Sequence, residues 1–311
     1  MVLTPDLVLA FGIAALVAGG GYAFRALTVG GAAGAVVVGG TVFGLGGPVW
    51  GALLVVFFVS SSALSGWMAA SKASAAAEFA KGGRRDLGQV VANGGVVALL
   101  AAVHGFRPDP ALLAAAVGAL AAATADTWAT EVGLLSRARP RLITTGRPVP
   151  PGTSGGVTAL GTAAAIAGGL VIGLAALGLE SAWAHLGPDR AGLVPGAAGF
   201  GRITAAAAAG ESAAAATART LSPALYLVIS PAAAFVSAMA DSLLGATLQA
   251  IHRCPACGVE TERRIHRCGA ETVHTRGMGW VTNDVVNLLA TVCGAAAAWA
   301  LAHALAGGAG A

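Results

Sequence analysis

Acidic side chains lie at the ends of long apolar segments of this sequence. Asp126 and Glu131 occur in the phrase ADTWATE at the end of one apolar run, and Asp241 occurs in the similar phrase ADSLLGAT at the end of a later run. Asp284 lies at the start of the last run, in TNDVVN. Ionisable groups at membrane depth are expensive to bury and usually functional. Carboxylates from three helices can hold one or two Mg²⁺ ions, so Asp126, Asp241 and Asp284 are predicted magnesium ligands.

Asparagines accompany these acids. Asn283 and Asn287 share a helix face at i,i+4 spacing, and Asn93 starts an earlier apolar run on the same side of the membrane. Amide oxygens are suitable partners of a hard cation or a phosphate. For any one of these polar residues the alternative is helix capping or hydrogen bonding between helices. The convergence of three acids and several amides favours a site.

A glycine-rich segment, RPRLITTGRPVPPGTSGGV, spans residues 139–157 and is predicted to end at a helix start. Glycines, hydroxyls, arginines and a helix N-terminus together form an anion site. The segment lacks the Gly-Lys-Ser/Thr ending of the soluble P-loop, and glycine-rich turns are common in a chain with 46 glycines. The predicted phosphate-binding residues here are Arg141, Arg147, Gly152, Thr153, Ser154, Gly155 and Gly156.

Three of the four cysteines lie in one polar segment, residues 251–279, which makes a disulfide framework across the chain improbable and suits a reducing compartment. Cys254 and Cys257 form a Cys-x-x-Cys pair, and Cys268 follows. With one histidine these thiols complete a tetrahedral zinc site. His266 is the predicted fourth ligand of this structural Zn²⁺, with His274 and His252 as alternatives and free thiols as the competing interpretation.

The elements that position these residues are membrane spans. The 311 residues are 56% hydrophobic and 10% charged, and apolar runs long enough to cross a bilayer recur along the chain, which argues against a soluble bundle. The sequence predicts an all-α, polytopic transmembrane bundle forming a single integral membrane domain over residues 1–311, with the 251–279 Cys/His segment inserted between the last two spans. The eight predicted spans lie near 5–24, 27–45, 48–66, 88–105, 110–135, 155–178, 223–250 and 281–306.

Basic residues indicate the orientation. Most lysines and arginines fall in the polar segments 67–87, 136–156 and 251–279, and the positive-inside rule assigns these segments to the cytoplasm. The Ala-rich run 192–220 contains Arg202, Glu211 and Arg219 and is predicted to be a surface or re-entrant helix. We expect an integral protein of a prokaryotic plasma membrane whose active face is cytoplasmic.

Several of these phrases together resemble a known membrane family. The phrases are ADTWATEVG, PRLITT, GTSGGV, KGGRR with QVVANGG, DSLLGAT and NDVVN, and they cover most of the chain. The pattern is similar to the integral membrane family, long classed as a domain of unknown function, that contains plant phytyl-phosphate kinase and animal transmembrane protein 19. The run 180–222 looks like an insertion specific to this lineage.

The resemblance implies a kinase that phosphorylates an isoprenoid monophosphate, such as phytyl- or geranylgeranyl-phosphate, with a nucleoside triphosphate, CTP being favoured. Under this hypothesis the three aspartates hold Mg²⁺, and Glu131 and Asn93 support them. Lys72 and Arg85 join the glycine-rich loop in binding phosphates. Expected partners are membrane lipids, the isoprenoid phosphate and the nucleotide, and no nucleic acid.

Other functions remain alternatives at the level of sequence. A CDP-alcohol-type phosphotransferase also sets aspartates at the cytoplasmic face, but its Asp-Gly-x-x-Ala-Arg run is missing. A transporter using paired acids fits the weak repeat between the Asp126 and Asp241 phrases. A zinc-bearing scaffold that only binds anionic lipid is a third alternative. The sequence lacks Gly-x-Ser-x-Gly and His-Glu-x-x-His, so hydrolytic chemistry has no support.

Overall fold

The computed structural model describes residues 5–72, 84–191 and 221–308. Within these ranges eight helices are long and apolar enough to cross a membrane, which confirms the predicted all-α bundle and its eight spans. A π-helical turn, Val42–Gly46, continues the second helix, and a 3₁₀ turn, Pro223–Leu225, precedes the seventh. The helices are α1 Pro5–Ala23, α2 Val29–Thr41, α3 Pro48–Lys72, α4 Leu87–Phe106, α5 Pro110–Gly133, α6 Ala159–Ala191, α7 Tyr226–Thr247 and α8 Asn283–Gly308.

Helix α6 differs from its predicted span at both ends. The prediction starts it at residue 155, but Gly155 has φ +83° and residues 156–157 pair as a strand, so the helix begins at Ala159. Thr158 caps this start, since its Oγ1 accepts a hydrogen bond of 3.0 Å from the Gly161 amide. The helix then continues to Ala191, well past the predicted end at 178. The predicted surface helix at 192–220 lies outside the described residues.

Helix α5 is the centre of the bundle. Every residue from Leu113 to Ala125 is buried, and the helix contacts α3, α4, α6, α7 and α8. Its small side chains allow this, because helices in a bilayer associate through close packing rather than through a hydrophobic force. The closest approach is to α8: a Cβ built on Gly118 would lie 2.3 Å from the carbonyl oxygen of Gly294. Glycine is therefore required at this crossing.

Two small antiparallel sheets lie in the loops between helices. Strand β1 Arg141–Leu142 pairs with β2 Gly156–Val157. In the second sheet β3 Ile251–Arg253 lies between β4 Glu260–Thr261 and β5 Val273–Arg276. The predicted loop 251–279 is thus a folded sheet domain. Its residues line a common cleft with residues of the α1–α2 and α5–α6 loops, so these segments share one face of the bundle.

Replacing Gly118 by leucine should lower the free energy of unfolding by about 3 kcal/mol, because the new side chain meets the α8 backbone and forces two central helices apart. Unfolding by SDS titration in mixed micelles measures this change. Gly19→Leu is the matched control, since nothing lies within 4 Å of a Cβ at Gly19. Equal stability of the two variants would show that the α5–α8 crossing is not tightly packed.

Candidate functional site

Asp126 and Asn287, two of the predicted site residues, meet at the α5–α8 interface. The Asn287 amide Nδ2 donates a 3.4 Å hydrogen bond to Asp126 Oδ2, across 161 positions of the chain. Helix α7 lies beside them, because Ser237 Oγ donates to the Ala290 carbonyl oxygen at 2.9 Å. Helices α7 and α8 are antiparallel, so Asp241, one turn after Ser237, lies beside the first turns of α8.

Asp284 lies on the first turn of α8 and packs against the start of α4. A Cβ built on Gly88 would lie 2.6 Å from Asp284 Oδ2, so this carboxylate occupies the space that a larger residue would fill. A capping box fixes the start of α4 at the same place: Asp86 accepts from the Gln89 amide, and the Gln89 side chain accepts from the Asp86 amide. The capping box therefore fixes the α4 backbone against which Asp284 packs.

A polar cleft of about 410 Å³ opens at this face. The glycine-rich loop forms part of its wall, the start of α8 forms another part, and the sheet domain covers a third. The lining contains three arginines, four acidic residues, hydroxyls and the glycine-rich loop. Arginines and loop amides suit a phosphorylated ligand. Its lining residues are Thr28, Arg84, Asp86, Gln89, Gly152, Thr153, Ser154, Ile251, Glu260, Thr261, Glu262, Arg263, Arg276, Thr282, Asn283 and Asp284.

The glycine-rich loop is held in place by α7. Gly152 and Gly155 have φ values of +82° and +83°, a region that side chains with a Cβ rarely adopt. A Cβ on Gly155 would lie 2.4 Å from Ala246 Cβ. Ser154 Oγ donates a hydrogen bond to Gln249 Oε1 just after α7 ends. Gly156 belongs to strand β2, so the predicted anion loop ends in a strand and not at a helix N-terminus.

Arg85 lies between the carboxylates and an aromatic pair. Its guanidinium is 5.7 Å from the ring centroids of both Phe57 and Phe58, and its Nη1 donates to Ser62 Oγ at 2.6 Å. Burial lowers the pKa of Arg85, whereas the nearby charges of Asp126 and Glu131 raise it. An arginine pKa starts high enough that the group stays cationic at neutral pH. Arg85 is thus a fixed positive charge beside two of the predicted site acids.

Some predicted phosphate ligands lie elsewhere. Arg141 Nη1 donates to the Gly146 carbonyl oxygen at 2.9 Å within its own hairpin, and Arg147 is exposed, so neither side chain lines the cleft. Lys72 ends α3, but its side chain lies outside the described residues. Asn93 lies below the cleft and lines an apolar cavity between α1, α2, α3 and α4.

The cleft contains arginines that sequence reasoning did not select. Arg84, Arg263 and Arg276 line it, and all three lie in the basic segments recognised from composition. Arg84 Nη2 also donates to the Leu27 carbonyl oxygen at 2.7 Å, and Arg276 Nη1 donates to that of Ala246 at 3.1 Å. The positions of Arg263 and Arg276 depend on how the sheet domain folds over the helix ends, which no local sequence pattern indicates.

Cys254, Cys257, His266 and Cys268 form a cluster that can hold a metal ion, with their ligand atoms all within 4.8 Å of one another. Cys254 Sγ lies 3.6 Å from Cys268 Sγ, and His266 Nδ1 lies 3.1 Å from Cys268 Sγ. The hydrogen bond with His266 lowers the pKa of the Cys268 thiol to about 6. His252 and His274 instead face each other, with ring centroids 5.3 Å apart, which decides among the predicted histidines.

The three predicted magnesium ligands, Asp126, Asp241 and Asp284, do not form such a cluster. Among the described residues, the acidic, histidine and cysteine side chains close enough to hold an ion are those of the Cys/His cluster. Mg²⁺ usually keeps several waters and takes one or two protein carboxylates together with substrate phosphates. Asp284 lines the polar cleft, whereas Asp126 and Asp241 are not among its lining residues. The magnesium ligands stay a prediction.

Comparison with known proteins identifies the family. The family model described as "Integral membrane protein DUF92" matches residues 12–295. The chain belongs to this family. The finding confirms the membership predicted from the sequence motifs, and with it the description of the chain as an integral membrane protein. No solved structure matches the chain.

Relatives in this family occur in plants and prokaryotes. The chain is 33% identical to "Protein PGR" of Arabidopsis thaliana over 258 residues, which cover 78% of this chain and 79% of the relative. It is 29% identical to an uncharacterized membrane protein of Synechocystis over 82% of this chain and 77% of that protein. An uncharacterized membrane protein of Methanocaldococcus jannaschii is 43% identical over 90 residues, covering 29% of this chain and 37% of the relative.

Gly155→Ala should release the glycine-rich loop from α7, because the added methyl group is strained at positive φ and also meets Ala246. Release unpairs β1 from β2, so trypsin should cut the Arg141–Leu142 bond about 10-fold faster, equivalent to about 1.4 kcal/mol of opening free energy. Gly258→Ala is the control, since Gly258 also has positive φ and nothing within 4 Å of a Cβ but lies outside this loop. Equal cleavage rates in the two variants would contradict the packing described for Gly155.

Proposed function

We propose that this protein is a membrane-embedded kinase that transfers a phosphoryl group from a nucleoside triphosphate, CTP being favoured, to an isoprenoid monophosphate such as phytyl- or geranylgeranyl-phosphate. One observation carries the proposal: the glycine-rich loop and the start of α8, with Asn283 and Asp284, line one polar cleft at a single face of the bundle. The basic segments around that face favour the cytoplasmic side of a prokaryotic plasma membrane.

The reaction requires two phosphate groups at the boundary between lipid and water. An isoprenoid chain lies among apolar helices while its monophosphate reaches the face of the bundle. An oxygen of that monophosphate forms a bond to the γ-phosphorus of the nucleotide, and the bond from the γ-phosphorus to the β,γ-bridging oxygen breaks. The nucleoside diphosphate leaves with that oxygen. Because the acceptor is already an anionic nucleophile, no strong base is required.

The cleft offers cations and amides for the nucleotide phosphates. Arg84, Arg263 and Arg276 line it together with the loop residues Gly152 and Thr153. Arginine forks and backbone amides bind phosphate oxygens and hold the reacting groups in line. Positioning and charge neutralisation provide most of the rate enhancement in phosphoryl transfer. Arg85, beside Asp126 and Glu131, is suited to hold the acceptor phosphate.

The donor set suits magnesium. Asp126, Asp241 and Asp284 come from three helices that meet at this face, and hard divalent cations prefer carboxylate, amide and phosphate oxygens. When bound, Mg²⁺ neutralises charge on the phosphate oxygens. The Asn287 hydrogen bond orients the Asp126 carboxylate, and Asn283 lines the cleft beside Asp284. The hydrogen bond from Asn287 positions the Asp126 carboxylate whatever its ligand.

Purified protein in nanodiscs, given Mg²⁺, labelled CTP or ATP and geranylgeranyl-phosphate, should form labelled geranylgeranyl-diphosphate. Asp126→Asn and Asp284→Asn should each lower kcat/KM at least about 100-fold, a loss of about 2.7 kcal/mol of transition-state stabilisation. Asp109→Asn is the control: Asp109 caps the opposite end of α5, and asparagine caps equally well.

Two results would overturn the kinase proposal. One is the absence of diphosphate product with every nucleotide and with both phytyl- and geranylgeranyl-phosphate. The other is full turnover in the Asp126 and Asp284 variants, which would remove these acids from the chemistry. Monodisperse elution of each variant on size exclusion ensures that the comparison concerns folded protein.

We also propose that the Cys/His cluster holds a structural Zn²⁺. Sulfur ligands placed tetrahedrally about 2.3 Å from zinc lie about 3.8 Å apart, close to the 3.6 Å between Cys254 and Cys268. Glycines at positive φ, Gly258 and Gly269, follow Cys257 and Cys268 and turn the chain back toward the cluster. The zinc would hold together the sheet domain whose strand β4 lines the cleft.

Protein purified under reducing conditions should contain about one zinc per chain by mass spectrometry of the metal. Cys257→Ser should lose most of that zinc, since three remaining ligands bind it far more weakly. Cys293→Ser is the control, because Cys293 lies on α8 outside the cluster. A wild-type protein that contains no zinc and takes up none from buffer would contradict the assignment.

A further inference from the structure

An apolar cavity of about 70 Å³ lies beside the polar cleft, among α1, α2, α3 and α4. Its walls are aliphatic and aromatic, with Val17, Val38, Val55 and Phe58 among the lining residues. The helices around it are separate from the α5–α8 core that carries the predicted site acids.

Polar groups are confined to one part of the cavity wall. Arg85, Gln89 and Asn93 line it, and Gln89 and Asn93 share a face of α4 at i,i+4 spacing. Asn93 is 7% exposed, and its Oδ1 has no hydrogen-bond partner among the described residues. Buried amide groups are normally hydrogen-bonded, so an unpartnered one facing a cavity indicates a ligand there. An amide can present either its oxygen or its NH₂ to that ligand.

The cavity and the cleft are adjacent. Gln89 lines both of them, and Arg84 and Arg85, consecutive in the chain, line the cleft and the cavity respectively. A molecule that fills the cavity with an apolar chain can therefore place an anionic head beside Arg85 and Gln89. From there the head is next to the cleft in which a nucleotide would bind.

We infer that this cavity binds the hydrocarbon chain of an isoprenoid monophosphate, with the phosphate beside Arg85, Gln89 and Asn93. This inference rests on the proposed function for the isoprenoid nature of the chain, and it assigns the chain to α1–α4 and not to the central helices. The apolar walls contact the chain, and the Arg85 guanidinium and the Gln89 and Asn93 amides bind the phosphate. An ordinary phospholipid satisfies the walls equally well, so the head and the chain are tested separately.

Binding is measured without nucleotide, in nanodiscs of fixed composition, with geranylgeranyl-phosphate as the long-chain probe and dimethylallyl-phosphate as the head-only probe. Val55→Phe places a larger side chain in the cavity and should weaken binding of the long-chain probe about 10-fold, with binding of the head-only probe unchanged. Val59→Phe is the matched control on the same helix, because Val59 is 55% exposed and does not line the cavity.

A second pair protects the test against a folding defect in Val55→Phe. Val17→Phe fills the same cavity from α1, and Leu16→Phe, at a position that is 79% exposed, is its control. Each variant is accepted only if it elutes as a monodisperse peak. The inference predicts that both cavity variants lose long-chain binding and that both controls keep it.

Three results would overturn the inference. Cavity variants could bind geranylgeranyl-phosphate as tightly as their controls, they could lose both probes equally, or phosphatidic acid could compete as well as unlabelled geranylgeranyl-phosphate does. Failure of the kinase proposal is a separate outcome, because it appears as missing diphosphate product. Chain-dependent binding without turnover would support the cavity assignment and overturn the kinase. Turnover that Val55→Phe and Val17→Phe leave unchanged would support the kinase proposal and overturn the cavity assignment.

Discussion

The positions of the helices that carry the predicted site residues depend on how closely helix backbones can approach one another around α5. No hydrophobic force drives helices together in a bilayer, so contact comes from packing of small residues and from hydrogen bonds. Gly118 and Gly294 let α5 and α8 touch backbone to backbone. Gly169 does the same between α6 and α7, where Ser230 Oγ donates to its carbonyl oxygen at 2.7 Å. A larger residue at these crossings would separate the helices that carry the acids.

Buried hydroxyls then fix the register of α8. Thr291 Oγ1 donates to the Ala92 carbonyl oxygen on α4 at 3.1 Å, and Ser237 on α7 donates to that of Ala290. These bonds lie one to two turns below Asn287 and Asp284. Because a helix is rigid over that distance, fixing its buried part also fixes its polar first turn. Hydrogen bonds in the buried part of α8 therefore determine where its polar first turn lies.

Sequence reasoning was most reliable where one rule sufficed. Span length and hydropathy predicted eight helices, and loop charge grouped the helix ends that bear Asp126, Asp284 and Asn287. It was less reliable where loops fold. The start of α6 was misplaced because Gly155 adopts positive φ before a strand, which the glycine-rich composition does not reveal. Arg141 was predicted to bind phosphate, but its side chain is not among those that line the cleft.

The Cys/His segment contains one feature that the sequence predicts and one that it does not. Cysteine spacing predicted a cluster, whereas the choice of His266 over His252 and His274 required the strand pairing that turns the last two toward each other. Likewise, no spacing rule indicates that Arg263 and Arg276 reach the cleft. Their side chains arrive there because an antiparallel sheet forms over the helix ends.

The contact between Asp126 and Asn287 has a consequence for biosynthesis. Asp126 emerges from the ribosome long before Asn287, and the cleft also needs Gln89 from an earlier helix and the loop before α6. A nascent chain therefore lacks the assembled face until its last helix has entered the bilayer and docked on α5. Chains that stop before α8 therefore lack both the hydrogen bond from Asn287 to Asp126 and the part of the cleft that α8 forms.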